Sequence, residues 1–184
     1  MKKYHYKENF WDGSTKEISV LNEQDKQVMS LRILNKKKRS KMSSWLSAMK
    51  QEYEITDGKD LYEVRRERSL STLFLPAWQV YHNHKPIGEL KASFSWVKPK
   101  MRYTDMQANE LKLQTGILSH SIIIKDERET ELLNSKSSYF KLRTEHQVTI
   151  DTDQYPPLLL MLLFQVAFEY FEMVRQSAAS SSSN

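Results

Sequence analysis

Apolar and polar residues alternate with a period of two along most of the chain, the pattern typical of half-buried β-strands. In the clearest run, residues 88–96, small, aliphatic and aromatic residues alternate with charged residues and serine. Similar runs cover residues 4–6, 29–33, 111–117, 140–143 and 148–150. In each of them one face can pack on a core while the other faces water.

Short polar segments separate these runs, at residues 11–14, 22–25, 56–59, 82–85 and 126–128. We interpret them as turns because Asn, Asp, Gly and Ser favour turn conformations. Asp57-Gly58 is expected to form a type I′ hairpin turn, which needs a positive φ at both central residues. Turns at intervals of roughly 8–12 residues predict an antiparallel meander, and hence a β-sandwich or a β-barrel.

Two segments follow a helical pattern instead. The first, within residues 40–52, places Met42, Trp45, Leu46 and Met49 on one stripe of a helix, although two strand fragments would also suit this stretch. The second lies near the C-terminus and is apolar at every position from 158 to 164.

The C-terminal helix decides the fold, because a helix that is apolar on all faces must be buried in protein or in lipid. It begins at Pro156-Pro157, since proline suits a first helical turn, and is expected to run to Arg175. A membrane span needs about 20 predominantly apolar residues, whereas residues 158–168 number only 11 and include Gln165. The sequence therefore favours a core helix over a membrane anchor or a partner interface. A sheet closed around such a helix has no free edges.

The composition is that of one globular domain. The 184 residues, 39% hydrophobic and 28% charged, suffice for a full core. We expect residues 1–176 to form this domain and residues 177–184 to form a flexible polar tail. The absence of cysteine excludes a disulfide scaffold, a thiolate zinc site and a cysteine nucleophile. The first residues lack the apolar stretch of a secretory signal, so we expect a cytoplasmic protein.

Catalytic patterns are scarce, and we expect a protein that is not an enzyme and uses no cofactor or metal. The four glycines form neither a phosphate-binding loop nor a nucleophile elbow, and no carboxylates fall in a paired motif. His82 and His84 would share one face of a strand, but they flank a turn asparagine and have no carboxylate at ligand spacing. His120 and His146 are interpreted as isolated histidines at strand edges.

The most suggestive functional feature is a basic run followed by a tryptophan. Its residues are Lys36, Lys37, Lys38, Arg39, Lys41 and Trp45. Basic residues beside a short amphipathic helix with Trp and Met are typical of a membrane-surface segment. The formal charge of +5 also favours anionic partners. The alternative is that the run is a solvated loop and the apolar stripe packs over one end of the barrel.

Nucleic acid is a less favoured partner. Arg65, Arg66 and Arg68 form a second basic patch, but on a strand Arg65 would face away from the other two. The aromatic residues alternate into the predicted core and do not form an exposed platform for stacking bases.

One hairpin and the closing helix resemble a known superfamily. The hairpin runs from Trp78-Gln79-Val80-Tyr81 through His82-Asn83-His84-Lys85 into Pro86-Ile87-Gly88-Glu89-Leu90. An aromatic strand, a polar turn and an Ile-Gly strand in this order are similar to a hairpin of the tubby C-terminal domain superfamily, which includes phospholipid scramblases and LURP-one-related proteins. The resemblance implies a closed barrel of about twelve antiparallel strands around a hydrophobic C-terminal helix.

The chain departs from the named branches of that superfamily. It has no cysteine for palmitoylation, no Pro-rich extension and no EF-hand-like acidic loop, which puts lipid scrambling in doubt. No tubby phosphoinositide residue matches position by position. In character the chain resembles the small bacterial tubby-like proteins, a group without a settled activity.

These observations favour a non-enzymatic binding module that docks on anionic phospholipid through the basic run and Trp45, at the inner face of the membrane. The alternative is a protein-interaction or structural domain that does not bind lipid. The oligomeric state and the identity of a protein partner stay open.

Overall fold

The computed structural model describes residues 1–9, 17–34, 52–67, 75–93, 99–116, 120–140 and 143–181. Within these ranges the chain forms twelve β-strands and one α-helix. The strands are β1 Lys2–Asn9, β2 Ile18–Asn22, β3 Gln27–Ile33, β4 Tyr53–Thr56, β5 Leu61–Arg66, β6 Ala77–His82, β7 Lys85–Ser93, β8 Lys100–Asp105, β9 Glu110–Thr115, β10 Ile122–Lys125, β11 Glu131–Phe140 and β12 Arg143–Ile150. The helix, α1, is Pro157–Ser181.

The strands form one closed antiparallel barrel, in which each strand pairs with its neighbours in the chain and β1 closes onto β12. The closing seam pairs the whole of β1, from Lys2 opposite Ile150 to Asn9 opposite Arg143. The predicted closed barrel around a C-terminal helix is thus confirmed, and the sandwich alternative is wrong. Closure leaves none of the twelve described strands with an edge open to another chain.

Helix α1 fills the barrel. Every side chain from residue 158 to residue 168 is buried, which confirms the predicted core helix. Among the described residues one helix, Pro157–Ala178, is long and apolar enough to cross a membrane, and 72% of its apolar window is buried inside the barrel. Most of the apolar surface that would have to contact lipid therefore already contacts protein.

The helix ends later than the sequence predicts. It continues to Ser181, so residues 177–181, expected to belong to a flexible tail, are helical. The Ser177 Oγ hydroxyl donates to the Val174 carbonyl oxygen at 2.7 Å, a bond within the helix. The alanines at 178 and 179 also have high helix propensity.

The two ends of the barrel differ in their connections. At one end, which we call the turn end, short described turns join β2 to β3, β4 to β5, β6 to β7, β8 to β9 and β10 to β11, and α1 begins there. At the other, which we call the loop end, lie the last residues of β1, β3, β5, β7, β9 and β11, and α1 ends there. Every internal stretch outside the described residues connects strands at the loop end.

Two local sequence predictions are wrong. At the predicted type I′ turn only Gly58 has a positive φ, and the Asp57 carboxylate instead accepts hydrogen bonds from the backbone N–H groups of Lys59 and Asp60. The turn with a positive φ at both central residues is Asn83-His84. Phe140 and Arg143, predicted to lie on one strand, belong to two strands: Phe140 ends β11 and pairs with Arg143, the first residue of β12.

Gly88, in the hairpin that carries the family resemblance, is required by close packing. A Cβ atom there would lie 2.5 Å from the Thr104 carbonyl oxygen and 2.7 Å from the Tyr103 ring. The Tyr103 hydroxyl donates to the Ile87 carbonyl oxygen at 3.3 Å. Because Gly88 has no side chain, β7 can lie close to β8, and the Tyr103 ring packs against the Gly88 backbone.

Candidate functional site

The predicted binding residues Lys36, Lys37, Lys38, Arg39, Lys41 and Trp45 lie outside the described residues, as does the amphipathic stripe. The described residues that flank this stretch are Leu34 and Glu52, joined by a hydrogen bond of 2.8 Å from the Leu34 N–H to the Glu52 carbonyl oxygen. Both lie at the loop end. The stretch 35–51 therefore begins and ends at the end of the barrel where α1 also ends.

A buried polar cluster that the sequence analysis missed lies inside the loop-end half of the barrel. We call it the interior cluster; its members are Tyr6, Glu8, Tyr53, Ser137, His146, Gln165 and Glu169. They come from β1, β4, β11, β12 and α1. The strand members sit at inward-facing positions of strands whose other inward residues are mostly apolar.

Gln165 is the centre of the interior cluster. Its Nε2 group donates to Glu8 Oε1 at 2.5 Å, and the Tyr6 hydroxyl donates to its Oε1 atom. Tyr53 also hydrogen-bonds to Gln165. Burial raises the pKa of Tyr6 and of Tyr53 well above the usual range, so both hydroxyls stay protonated. The cluster connects the helix to β1 and β4 by hydrogen bonds.

His146 is fully buried, so its interpretation as an isolated strand-edge residue is wrong. Its Nδ1 atom lies 2.9 Å from Ser137 Oγ, and its Nε2 atom lies 3.4 Å from Glu8 Oε2. The second contact is within ion-pair distance but lacks hydrogen-bond geometry, so Nε2 has no hydrogen-bond partner among the described residues. The ring stacks on Tyr6 at 4.6 Å and meets Phe168 edge-on at 4.5 Å.

Ser137, His146 and Glu8 have the composition of a hydrolytic triad but not its accessibility. Ser137 is 6% exposed and His146 is not exposed at all. A nucleophile has to reach its substrate, whereas these side chains lie between the barrel wall and α1. Their hydrogen bonds and close contacts link β1, β11 and β12 to one another.

A second group of ionisable residues lies at the loop end, beyond Gln165 and closer to the end of α1. Glu172 is 9% exposed and forms an ion pair with Arg175 one turn later in the helix. The His120 ring contacts both, with its Nδ1 atom 3.4 Å from Glu172 Oε1 and in contact with the Arg175 guanidinium. His120 is therefore part of a polar contact, not the isolated residue that the sequence suggests.

The pair His82 and His84 does not form a joint site. His82 Nε2 lies 2.7 Å from Asp60 Oδ1, and His84 Nδ1 lies 2.7 Å from Glu63 Oε2. The fold thus supplies carboxylates that sequence spacing could not reveal. In the part of the chain that the structure describes, no group of three His, Asp or Glu residues is placed to hold a metal ion.

Arg65 and Arg66 face opposite sides of β5, as the sequence predicts. Arg65 is on the outer surface, 2.8 Å from Glu63 and above the Tyr81 ring at 5.2 Å. Arg66 lies above the inward-facing Trp78 ring at 5.5 Å, and burial lowers its pKa. The two guanidinium groups do not combine into one basic surface.

The geometry defines a class of domain: a closed β-barrel whose interior is occupied by its own C-terminal helix. A family model described as the Tubby C-terminal like domain matches residues 4–170, and the chain belongs to that family. The family is one of non-enzymatic domains, and the resemblance inferred from the hairpin and the helix is confirmed. Comparisons with curated proteins and with solved structures found no match.

Proposed function

We propose that this tubby-like domain is a non-enzymatic binding module that docks on anionic phospholipid. The contact residues in this proposal are Lys36, Lys37, Lys38, Arg39, Lys41 and Trp45. The protein would then be cytoplasmic and peripheral at the inner face of the membrane.

The distribution of charge supports the proposal most directly. The stretch 35–51 contains six Lys or Arg residues and no acidic residue, a formal charge of +6 in a chain whose total is +5. All other residues together therefore carry a formal charge of −1. The basic character of the protein is thus concentrated in one connection at the loop end.

The opposite end of the barrel has the opposite character. Acidic residues occupy the described turns and the segment before α1 at the turn end: Glu23, Asp25, Asp57, Asp60, Asp105, Asp126, Glu127, Glu129, Asp151 and Asp153. An anionic surface would attract the stretch 35–51 and repel these side chains. The field of the protein therefore favours an orientation with the loop end towards the surface.

The expected affinity is modest and depends on salt. Each Lys or Arg near an anionic leaflet contributes about 1 kcal/mol, which is screened as the salt concentration rises. Trp45 would add a contribution less sensitive to salt, since aromatic rings favour the headgroup region. The result would be reversible attachment that needs several basic residues at once.

Co-sedimentation with vesicles tests the proposal. Wild-type protein is expected to pellet with phosphatidylcholine vesicles that contain phosphatidylserine, and not with phosphatidylcholine alone. Replacement of Lys36, Lys37, Lys38 and Arg39 with Ala should abolish this binding, and a rise in salt should weaken it. Trp45→Ala should weaken the binding that remains at high salt.

The turn end offers a matched control with the same change of charge. Lys26, Lys59, Lys85 and Arg128 are exposed residues in or next to four turns, again three lysines and one arginine. Their replacement with Ala should leave vesicle binding nearly unchanged. Equal loss in both variants would indicate unspecific attraction, and absence of wild-type binding would favour a protein-interaction domain.

A further inference from the structure

Three carboxyl groups lie near one another at the loop end of the barrel, where the charges of Glu8 and Glu172 both act on Glu169. Glu8 of β1 is 12% exposed, and Glu172 of α1 is 9% exposed. Glu169 is half-buried and lies between them, one turn after Gln165 and one turn before Glu172 on the same stripe of the helix. Each of the outer two has partners, Gln165 and His146 for Glu8, and Arg175 and His120 for Glu172.

Glu169 differs from its two neighbours. Among the described residues it has neither a hydrogen-bond donor nor a cation as a partner. Tyr6 and Tyr53 are close enough to interact with it electrostatically, but the Tyr6 hydroxyl donates to Gln165, and Tyr53 also hydrogen-bonds to Gln165. An ionised carboxylate at this position would face two other carboxylates without a hydrogen-bond donor or a cation to offset the repulsion.

The charges around Glu169 do not balance. If all three carboxyl groups were ionised, they would face one guanidinium, that of Arg175, and the imidazole rings of His120 and His146. Tyr6 and Tyr53 also interact electrostatically with Glu169, whereas Arg66, at the end of β5, lies over the Trp78 ring. A partly buried cluster with excess negative charge is costly, and protonation of one carboxyl group relieves it.

We propose that the last part of α1, residues 169–181, is a pH-dependent latch on the loop end, closed while Glu169 is protonated and released when Glu169 ionises. The segment differs from residues 158–168, which are buried at every position, since within residues 169–178 only Phe171 and Glu172 are buried. The latch is independent of membrane docking, although it acts at the same end of the barrel.

The direction of the pH effect follows from proton linkage. Burial, with the charges of Glu8 and Glu172 in addition, raises the pKa of Glu169 to about 8. When the segment opens, the carboxyl group regains its ordinary pKa and releases its proton. The equilibrium constant for opening therefore rises by up to about tenfold for each pH unit between about 4.5 and 8, and levels off above that range.

Hydrogen–deuterium exchange of the full chain tests the latch. Protection factors, corrected for the intrinsic exchange rate at each pH, are compared between peptides from residues 169–181 and from residues 158–168. In the wild-type protein we expect protection of 169–181 to fall by more than about tenfold from pH 6 to pH 8, with little change in 158–168. Trypsin cleavage after Arg175 should accelerate in parallel.

Two variants separate the latch from general effects of pH. Glu169→Gln keeps the shape of the side chain without its charge, and it should make protection of 169–181 nearly independent of pH. Glu145→Gln removes an exposed carboxylate that pairs with Lys7 on the outer surface, and it should behave like the wild type. An unchanged pH dependence in Glu169→Gln would overturn the proposal.

If the Glu169→Gln variant does not fold, the wild-type protein alone still tests whether the latch exists. Protection of 169–181 that is flat between pH 6 and pH 8 would show that no latch exists. An equal fall in 158–168 would show that the pH acts on the whole barrel, and it would overturn the proposal as well.

Discussion

Glu8 and Gln165 are 157 residues apart in the chain, yet Gln165 Nε2 donates to Glu8 Oε1 at 2.5 Å inside the barrel. Glu8 belongs to the first strand and Gln165 to the closing helix. The bond therefore joins the two ends of the chain, in a barrel that closes by pairing β1 with β12. It also sets the rotation of a helix whose other side chains in this region are apolar and less directional.

Loss of this contact should destabilise the protein. Gln165→Leu has nearly the same volume, but it leaves Glu8 and the Tyr6 hydroxyl without their partner in the interior. We expect the free energy of unfolding to fall by about 2–4 kcal/mol, measured by urea denaturation. Gln176→Leu, the same change at an exposed position of α1, should have little effect, and an equal cost in both variants would contradict the role of Gln165.

The buried helix predicts intolerance to charge at its centre. Leu162 is completely buried, so Leu162→Asp would place an unpaired carboxylate in the core at a cost of several kcal/mol. We expect the variant not to fold, as judged by circular dichroism and solubility. Leu75→Asp, at a position that is 42% exposed, should fold normally. A folded and soluble Leu162→Asp protein would rule out the helix as the organiser of the core.

The close approach at Gly88 predicts a large effect of a single methyl group. Gly88→Ala would force its Cβ against the Thr104 carbonyl oxygen and the Tyr103 ring, and should cost about 2–3 kcal/mol. Gly58→Ala is the comparison, because its Cβ would meet nothing within 4 Å and only its φ of 89° is unfavourable. It should cost about 1 kcal/mol. Thermal denaturation of both variants checks that Gly88→Ala lowers the melting temperature more than Gly58→Ala does. The opposite order would show that the packing at Gly88 is loose.

One turn at the turn end contains strain that a substitution can remove. Ala108 has a φ of 68°, a left-handed conformation that costs a residue with a Cβ about 1–2 kcal/mol. Ala108→Gly should therefore stabilise the protein by up to about 1 kcal/mol, after the greater flexibility of glycine in the unfolded chain is subtracted. Ala178→Gly, at an exposed helical position, should destabilise instead. A lower melting temperature for Ala108→Gly would refute the prediction.

The Glu63 contacts predict a dependence on acid. Burial alone would raise the pKa of Glu63, but hydrogen bonds from Arg65 and His84 and their charges lower it. The stabilisation from this carboxylate is present above the ordinary pKa of glutamate and is lost as the pH falls through the lower pKa of the folded state. Glu63→Gln should therefore destabilise the protein at neutral pH and have little effect in strong acid. Glu17→Gln, at an exposed position, should leave the stability unchanged at neutral pH and in acid. A loss of stability in Glu63→Gln that persists in acid would contradict the role given to the Glu63 carboxylate.

Much of the architecture could be predicted from local patterns. Alternation in the run at residues 88–96 placed Leu90 and Ala92 inside the barrel, where the described part of that run has them. The apolar stretch 158–168 predicted its own burial, because no arrangement in water can satisfy such a helix. The turn at Asn83-His84 was located by its polar residues, although its type was assigned to Asp57-Gly58. The pattern of a turn shows where the chain reverses more reliably than which residues take a positive φ.

The candidate chemistry was harder to predict, since it depends on contacts between distant residues. His146 has the same strand parity as Val148 and Ile150, a signal that could have placed it inside. No pattern, however, connects it with Ser137 and Glu8. The carboxylates that meet His82 and His84 lie more than 20 residues earlier in the chain. The six basic and aromatic residues proposed to bind lipid stay a prediction from sequence.

The sequence by itself determined the strands, the core helix, the domain family and the concentration of positive charge in residues 35–51. Each of these is a property of residues that are neighbours in the chain. Only the tertiary structure decided that α1 ends at the same end of the barrel at which that stretch begins and ends, and that the charges of Glu8 and Glu172 act on Glu169. The physical reason is closure: once β1 pairs with β12 around the helix, polar groups far apart in the chain are enclosed together. Their protonation and their hydrogen bonds then depend on one another.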